Sequence, residues 1–229
     1  MNEPDLKLFV FYGLLLIPTF FLCCENGNVP FFFVVAVMLL TSIIEIPVYR
    51  IKTKKPEYSE REALRMGEFY GVPIAEEMQK DGERMYKTRV TLNLGGSIVP
   101  LFFSALLLLR ACKSDHAPVL EVAIAVLLMT LFSFMLSEVK GGVGIIVPGY
   151  VGIFAIPLGL VIAPEELRNM AELLIFAPAI FGILLAILIR LATLRKEEVG
   201  SAFFNIGGIG SFPSIIHISF LALLIGTVA

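Results

Sequence analysis

The sequence predicts an all-α integral membrane protein, a bundle of about seven transmembrane helices with a small cytoplasmic cap. The chain has 229 residues, 57% of them hydrophobic, and its mean hydropathy is +0.87, which is typical of membrane proteins and not of soluble domains. Its apolar residues form segments close to the ~20 residues that span a bilayer. Its charged residues are concentrated in one polar region, residues 50–90.

Seven apolar segments are long enough to be predicted as spanning helices. They are residues 8–24, 29–48, 93–111, 118–137, 143–163, 171–191 and 204–228. The chain therefore divides into two transmembrane helices (1–49), a cytoplasmic cap or loop (50–90) and a five-helix transmembrane region (91–229). We expect the first segment to be an uncleaved helix, because no small-x-small cleavage site follows it.

Basic residues are distributed unevenly between the connecting segments. With the N-terminus inside, 15 of the 18 Lys and Arg residues fall on the inner side, ten of them in residues 50–90. Cytoplasmic connections carry the excess of Lys and Arg in membrane proteins. We therefore expect a multi-pass protein of the inner cell membrane, with the N-terminus and residues 50–90 in the cytoplasm and the C-terminus outside.

The polar region predicts a small cap with mixed structure. A capping box at Ser59–Glu62 predicts a short helix to about Tyr70, and a second short helix is expected over Ile74–Gln79. Apolar residues alternate over Met85–Leu94, which favours a strand. The mixed charge gives no basic face for nucleic acid, whereas Lys52–Lys55 are expected to attract anionic lipid headgroups.

Three apolar segments begin with glycine-rich sequence followed by proline. These stretches are Asn93–Pro100, Gly141–Gly149 and Asn205–Pro213. Glycine weakens a helix by about 1 kcal/mol relative to alanine, and proline suits the first helical turn. We therefore predict non-helical entries, with a half-length helix from about Pro213 to Val228 after the last stretch and Ser211 at its N-cap.

Two interpretations of these stretches stay open. The glycines could simply let helices pack closely, or the interrupted helices could form a binding site, as in many transporters. All three stretches open on the cytoplasmic side in the expected orientation. If they are neighbours, their helix N-termini would form a vestibule that favours an anion or a polar oxygen.

On the second interpretation, the candidate ligand-binding residues lie in the first and last stretches and one turn beyond their prolines. They are Asn93, Gly95, Gly96, Ser104, Asn205, Gly207, Gly208, Ser211 and His217. His217 is the titratable side chain expected nearest the middle of the membrane. It either donates to a backbone carbonyl as a neutral ring, or relays protons or contacts a ligand.

The other charged residues of the apolar segments are expected near the membrane surfaces. Glu45, about one turn inside the inner surface, either reaches the headgroups or pairs with Arg50 or Lys52; an intramembrane carboxylate is otherwise a functional candidate. The remaining four are expected to extend to the interface. They are Glu121, Glu138, Glu172 and Arg190.

The sequence lacks the residue patterns of common enzymes. Its two histidines, His116 and His217, are too far apart for a His-Glu-x-x-His zinc site. No aspartate falls in a predicted span, which disfavours an aspartyl mechanism. No phosphate-loop or dinucleotide fingerprint occurs, and Ser211 with His217 is a weak nucleophile pair. We therefore predict no metal, no cofactor and no catalytic residue.

The three cysteines are expected at the outer ends of spans. Cys112 could form a disulfide with Cys23 or Cys24 if the outside is oxidising, or all three could be free thiols.

Four motifs, in order along the chain, carry a resemblance to a known family. They are Ile44–Val48, Lys87–Pro100, Gly142–Pro148 and Gly207–Phe212. The chain resembles a family of prokaryotic polytopic membrane proteins known as domain of unknown function 1614. The resemblance implies a membrane bundle and no established activity. It also implies acidic residues in the penultimate helix and after the final glycines, where this chain has no aspartate and, in the second place, Pro213.

We expect a small transporter or permease-like protein that binds a small polar or anionic solute between the interrupted helices. A membrane scaffold or a subunit of a larger complex is the main alternative, and an intramembrane enzyme is less favoured. The expected partners are membrane lipids, a solute and, on the alternative, further copies of the chain or another protein, but no nucleic acid.

Overall fold

The structure, a computed structural model, is mostly helical. It describes residues 3–52, 64, 87–113, 118–140, 143–162, 170, 172–194 and 203–228. Within these residues there are seven α-helices. They are α1 (Glu3–Asn26), α2 (Val29–Thr41), α3 (Val99–Ala111), α4 (Val119–Leu136), α5 (Ala155–Ile162), α6 (Ala177–Thr193) and α7 (Phe212–Val228). The short helices expected at 59–70 and 74–79 lie outside the described residues.

Among the described residues, four helical segments have the length and apolarity to cross a membrane. They are Phe9–Asn26, Leu94–Ala111, Val119–Leu136 and Glu172–Thr193. Two of them begin with a π-helical turn, Leu94–Ile98 before α3 and Glu172–Phe176 before α6. The other three expected spans contain shorter apolar helices, Val29–Thr41, Val151–Ile162 and Phe212–Thr227.

The predicted all-α bundle is found only in part: the structure is mostly helical, but five short strands occur at one end of the bundle, which we name the sheet end. They are β1 (Glu45–Lys52), β2 (Lys87–Asn93), β3 (Glu138–Lys140), β4 (Gly144–Ile146) and β5 (Phe203–Ile206). The strand expected over 85–94 is confirmed as β2.

The second expected span, 29–48, is helical only to Thr41 and continues as β1. Pro47 would interrupt a helix that continued through this segment, since proline lacks an N–H group and disrupts a helix interior. The pairing of β1 with β2 is irregular between Pro47 and Tyr49. Bulges and edge strands are the places where a sheet accepts proline, and β1 is the edge of the sheet β1-β2-β5.

The fifth expected span, 143–163, is also interrupted. A hairpin of β3 and β4 is followed by a 3₁₀ turn, Val151–Phe154, and only then by α5. The last span follows its prediction: a non-helical entry precedes α7, which runs from Phe212 to Val228.

The core is centred on α6, which is buried along most of its length. It packs most extensively on α4, where a Cβ at Gly182 would lie 2.4 Å from Cβ of Met129, so that only glycine allows this approach. At the sheet end of α6, Arg190 donates to the carbonyl oxygens of Phe134 and Ser137, both at 2.8 Å. These bonds close the C-terminal turn of α4, where carbonyl oxygens lack helical partners.

Candidate functional site

The three glycine-rich stretches meet at the sheet end. The backbone of Gly96 lies directly against that of Gly207. The amide of Val147 donates to the carbonyl oxygen of Gly210 at 2.7 Å. Farther along, the amide of Gly152 donates to Oγ of Ser214 at 2.8 Å. The last glycine-rich stretch therefore contacts both of the others, a proximity that the sequence left open.

Close backbone approach explains why glycine stands at these positions. A Cβ at Gly96 would overlap the carbonyl oxygen of Gly207, and a Cβ at Gly207 would lie against the backbone of Gly96. Gly207 also has a positive φ of 77°, a conformation that costs other L-residues about 1–2 kcal/mol. The two glycines thus join the start of α3 to the entry of α7.

A cavity of about 270 Å³ lies beside this junction. Its wall combines residues from the N-terminal half of α1, the end of α2, the start of β1, the end of β2 and the entry of α7. They are Phe9, Leu39, Ser42, Ile43, Glu45, Asn93, Gly208, Ile209, Phe212 and Pro213. The wall is mostly apolar with a few polar groups, as small-molecule sites usually are.

Four polar residues share one face of the sheet, which we name the polar sheet face: Glu45, Thr91, Asn93 and Asn205. Glu45 pairs with Asn93 across antiparallel strands, and Thr91 pairs with Asn205 across parallel strands. Because side chains alternate between the two faces of a strand, Thr91 and Asn93, two residues apart, project to the same side. The register therefore gathers residues from three separate parts of the chain.

Glu45 is held by hydrogen bonds from the polar sheet face. Nδ2 of Asn205 donates to Oε1 of Glu45, and Oγ1 of Thr91 donates to Oε2 at 3.3 Å. Asn205 is only 4% exposed. Its Oδ1 has no hydrogen-bond partner within the described part of the chain. The polar sheet face therefore holds the carboxylate next to a buried amide oxygen that has no partner among the described residues.

A family model described as protein of unknown function (DUF1614) matches residues 39–225. The chain belongs to this family. The match begins near the end of α2 and ends within α7, so it includes the sheet, the glycine junction and every cavity residue except Phe9. No curated protein and no solved structure matches the chain significantly.

Membership of DUF1614 confirms the resemblance seen in the motifs, and the family is uncharacterised, so the site must be interpreted from its own geometry. Pro213, which stands where the resemblance implies an acidic residue, lines the cavity. The cavity's carboxylate comes instead from Glu45, on a different element.

Asn93 lines the cavity, and both atoms of its amide make a hydrogen bond within the fold. Nδ2 donates to the carbonyl oxygen of Ser42 at 2.6 Å, and Oδ1 accepts from the amide of Gly96 at 2.8 Å. Asn93 thus caps the π-helical turn and ties it to the end of α2. Gly95 packs against the same end of α2, and Gly208 lies between the cavity and the Asn205 amide.

The candidates Ser104 and Ser211 are fully buried and are not among the cavity residues. Neither hydroxyl has a hydrogen-bond partner within the described residues. Ser211 does precede the first residue of α7, where an N-cap was expected, yet its side chain makes no capping bond there. The structure therefore leaves both serines outside the polar sheet face.

His217 lies away from the cavity wall, one turn into α7. Its Nδ1 is 3.2 Å from the carbonyl oxygen of Gly149, and its ring meets that of Tyr12 edge to face with centroids 5.5 Å apart. This geometry corresponds to the first of the two alternatives for His217, a hydrogen bond to a backbone carbonyl. Tyr12 is itself buried and stacks on Phe220.

Sequence reasoning missed the central residues of the site. For Glu45 the sequence left headgroup contact, pairing with a basic residue and a functional role open, and Glu45 was not among the candidate ligand-binding residues. Ser42 and Thr91 were not singled out. The one signal available was the alternation over 85–94, which places Thr91 and Asn93 on the same side of a strand. The parallel pairing that brings Asn205 to Thr91 has no local signature.

The remaining candidates form no second site in the described residues. The three cysteines are free thiols: Cys23 is buried with Sγ 3.7 Å from Oγ1 of Thr227, and Cys24 and Cys112 are exposed. The disulfide that the sequence left open is therefore not formed. Within the same residues, no cluster of three His, Cys, Asp or Glu side chains could hold a metal.

Proposed function

We propose that this DUF1614 protein is a small membrane transporter or permease-like protein that binds a polar solute in the cavity. The observation that carries the proposal is the polar sheet face: a carboxylate held by Asn205 and Thr91 beside a cavity of about 270 Å³. In the proposed orientation, the sheet end faces the cytoplasm of an inner-membrane protein, because it adjoins the basic residues 50–90.

The lengths of the helices support a site below the membrane surface. α2 has 13 residues, which gives a length of about 20 Å against about 30 Å for the hydrocarbon core. The strands that follow must then satisfy their backbone groups with protein or with water in a cavity, never with lipid. An interrupted helix beside a solvated cavity is the usual arrangement of a transporter site.

A membrane scaffold is the second candidate, and the glycine junction favours it. Gly96 and Gly207 pack backbone against backbone, which is how small residues fix rigid membrane interfaces. In a scaffold the cavity would contain no water, and a larger side chain that fills it would have no effect on solute passage. An enzyme is less favoured, since the one hydroxyl among the described wall residues, that of Ser42, donates to the carbonyl oxygen of Leu39 and not to a base.

Solute passage can be measured by stopped-flow light scattering of vesicles that contain the purified protein. After a hyperosmotic step with urea, glycerol or methylammonium chloride, vesicles that admit the solute should re-swell faster than protein-free vesicles. Ile209→Trp should remove this difference because Ile209 lines the cavity. Ile124→Trp, on the exposed surface of α4, is the matched control and should keep it.

Equal re-swelling with and without the wild-type protein, for all three solutes, would contradict the permease proposal. Passage that persists in Ile209→Trp would show that the cavity is not the route.

A further inference from the structure

Two arginines lie directly opposite each other on neighbouring strands of the sheet β1-β2-β5. Arg50 of β1 is the register partner of Arg89 of β2, and two residues further along each strand Lys52 is opposite Lys87. The sequence offered Arg50 as a partner for Glu45, whereas the register places it opposite Arg89. Side chains in such positions share one face with Cβ atoms about 4.5–5.5 Å apart, and like charges there are destabilising. An anion between the two guanidinium groups would therefore stabilise the sheet.

The guanidinium groups of Arg50 and Arg89, which we name the arginine pair, are open to a partner outside the chain. Both side chains are exposed, and within the described part of the chain neither makes an ion pair or a hydrogen bond. Thr91, two residues along β2 on the same side, is already buried. The exposed part of this face of β2 therefore begins at Arg89.

The arginine pair adjoins an exposed apolar surface. Ile46, Val48 and Tyr49, which precede Arg50 along β1, are all exposed. β1 is also an edge strand, and an open sheet edge is not tolerated among lipid acyl chains. Apolar side chains and free backbone groups are both accommodated at the boundary between acyl chains and headgroups, where tyrosine is enriched. We expect this part of β1 to lie at that boundary.

The lengths of α2 and β1 agree with this depth. α2, with 13 residues, covers about 20 Å of the ~30 Å hydrocarbon core. The chain from Ser42 to Arg50 is mostly extended and can cover up to about 30 Å. A strongly tilted β1 would still carry Arg50 out of the acyl chains and into the headgroup layer.

We propose that the arginine pair binds the phosphate of one anionic phospholipid in the cytoplasmic leaflet. Arginine holds phosphate with two parallel hydrogen bonds from its planar guanidinium, and two guanidinium groups on one face of the sheet can hold the same phosphate from both sides. In phosphatidylglycerol the phosphate charge is unopposed, whereas the ammonium of a zwitterionic headgroup offsets it. This defined site is distinct from the diffuse attraction expected at Lys52–Lys55. It uses the proposed orientation but not the solute site, because neither arginine lines the cavity.

Native mass spectrometry of the delipidated protein in a charge-neutral detergent tests the preference. The protein is mixed with equal amounts of phosphatidylglycerol and phosphatidylcholine that have identical acyl chains, and the ratio of the two singly bound species is measured. The wild type should favour phosphatidylglycerol by at least about fivefold, the factor expected from one basic side chain at an anionic headgroup. Equal binding of the two lipids would overturn the proposal.

Two double variants assign the preference to the arginine pair. Arg50→Gln with Arg89→Gln should bring the ratio close to one. Lys113→Gln with Lys140→Gln is the matched control, because it removes the same charge from two exposed lysines outside this sheet, and it should keep the wild-type ratio. A preference that survives in the arginine variant, or is lost equally in the lysine variant, would show that this site does not select the lipid.

Thermal unfolding in the same detergent gives a second measurement. Because the opposed like charges are removed, the arginine variant without lipid should unfold at the wild-type temperature or higher. Phosphatidylglycerol should raise the Tm of the wild type and not that of the variant. If the variant does not fold, the wild-type shift is measured again in 1 M sodium chloride, which should reduce it. An unchanged shift would contradict an electrostatic site.

The remaining outcomes concern the occupant and the cavity. If inorganic phosphate, at constant ionic strength, raises the Tm as much as phosphatidylglycerol does, the site binds soluble phosphate and the lipid proposal is wrong. Equal binding of the two lipids leaves the solute proposal intact, and a cavity without water leaves the arginine pair intact. The failure of one proposal is therefore distinguishable from the failure of the other.

Discussion

At the scale of single residues, Asn93 links the end of α2 to the start of α3 with both atoms of its amide. Asn93→Ala should lower the free energy of unfolding by about 1–3 kcal/mol, because it removes a cap and takes a donor from the partly buried carbonyl oxygen of Ser42. Asn26→Ala is the control, since its exposed side chain donates to the carbonyl oxygen of Leu22 in its own helix. Unfolding in mixed detergent micelles, followed by circular dichroism, measures both; equal losses would contradict the linking function.

The pair Glu45 and Asn205 shows why the site could not be predicted from sequence. The two residues are 160 positions apart, and they meet because β5 joins β2 in parallel, with Thr91 opposite Asn205. Parallel pairing depends on the packing of distant helices and not on a local pattern. Asn93 and Asn205 could be predicted as site residues because a pair of glycines follows each of them closely in the sequence, whereas no glycine follows Glu45 closely.

At the scale of elements, the glycine junction should be the least tolerant part of the chain. Gly207→Ala should cost about 1–3 kcal/mol from the backbone overlap with Gly96 and about 1–2 kcal/mol more from its positive φ. Gly13→Ala in α1 is the control, because nothing lies within 4 Å of an added Cβ. It should be neutral or stabilising, since alanine favours helix.

Thermal unfolding of both glycine variants tests this expectation. A Gly207→Ala protein as stable as Gly13→Ala would show that the two stretches do not touch.

The contact between α4 and α6 gives a third prediction. Arg190→Met should lower the free energy of unfolding by about 2–3 kcal/mol, because the carbonyl oxygens of Phe134 and Ser137 lose a charged donor. Thr193→Ala, whose hydroxyl bonds within its own helix, should change it little. The same detergent titration compares them, and a small effect of Arg190→Met would mean that water replaces the guanidinium.

The helices could be located from sequence, but their ends could not. Runs of apolar residues predicted α1, α4 and α6 well, and the Gly-Pro pattern predicted the late start of α7. Residues 43–48 are mostly apolar apart from Glu45, so hydropathy extended α2 through them. Pro47 and the β-branched isoleucines and valine there favour a strand. Composition alone cannot separate a short buried strand from the last turns of a helix.

At the scale of the whole molecule, the helices bear on the location of the protein and the sheet end on its candidate site. The long apolar helices are compatible with a membrane location, and the sheet end gathers the glycine junction, the polar sheet face and the cavity. The charges of residues 50–90 favour a cytoplasmic position for this end. The proposal therefore has three linked parts: the cavity binds a solute, it opens to the cytoplasm, and the protein transports the solute.

Side-specific labelling of cavity cysteines tests that proposal most directly. In a variant whose native cysteines are replaced by alanine, Ser42→Cys and Ile209→Cys lie in the cavity wall, and Ser104→Cys is the buried control. An impermeant thiol reagent is applied to sealed vesicles of each orientation. We predict that the reagent labels positions 42 and 209 from the cytoplasmic side and does not label position 104. Absence of labelling at 42 and 209 from both sides would mean a dry, packed interior and would contradict a solute site.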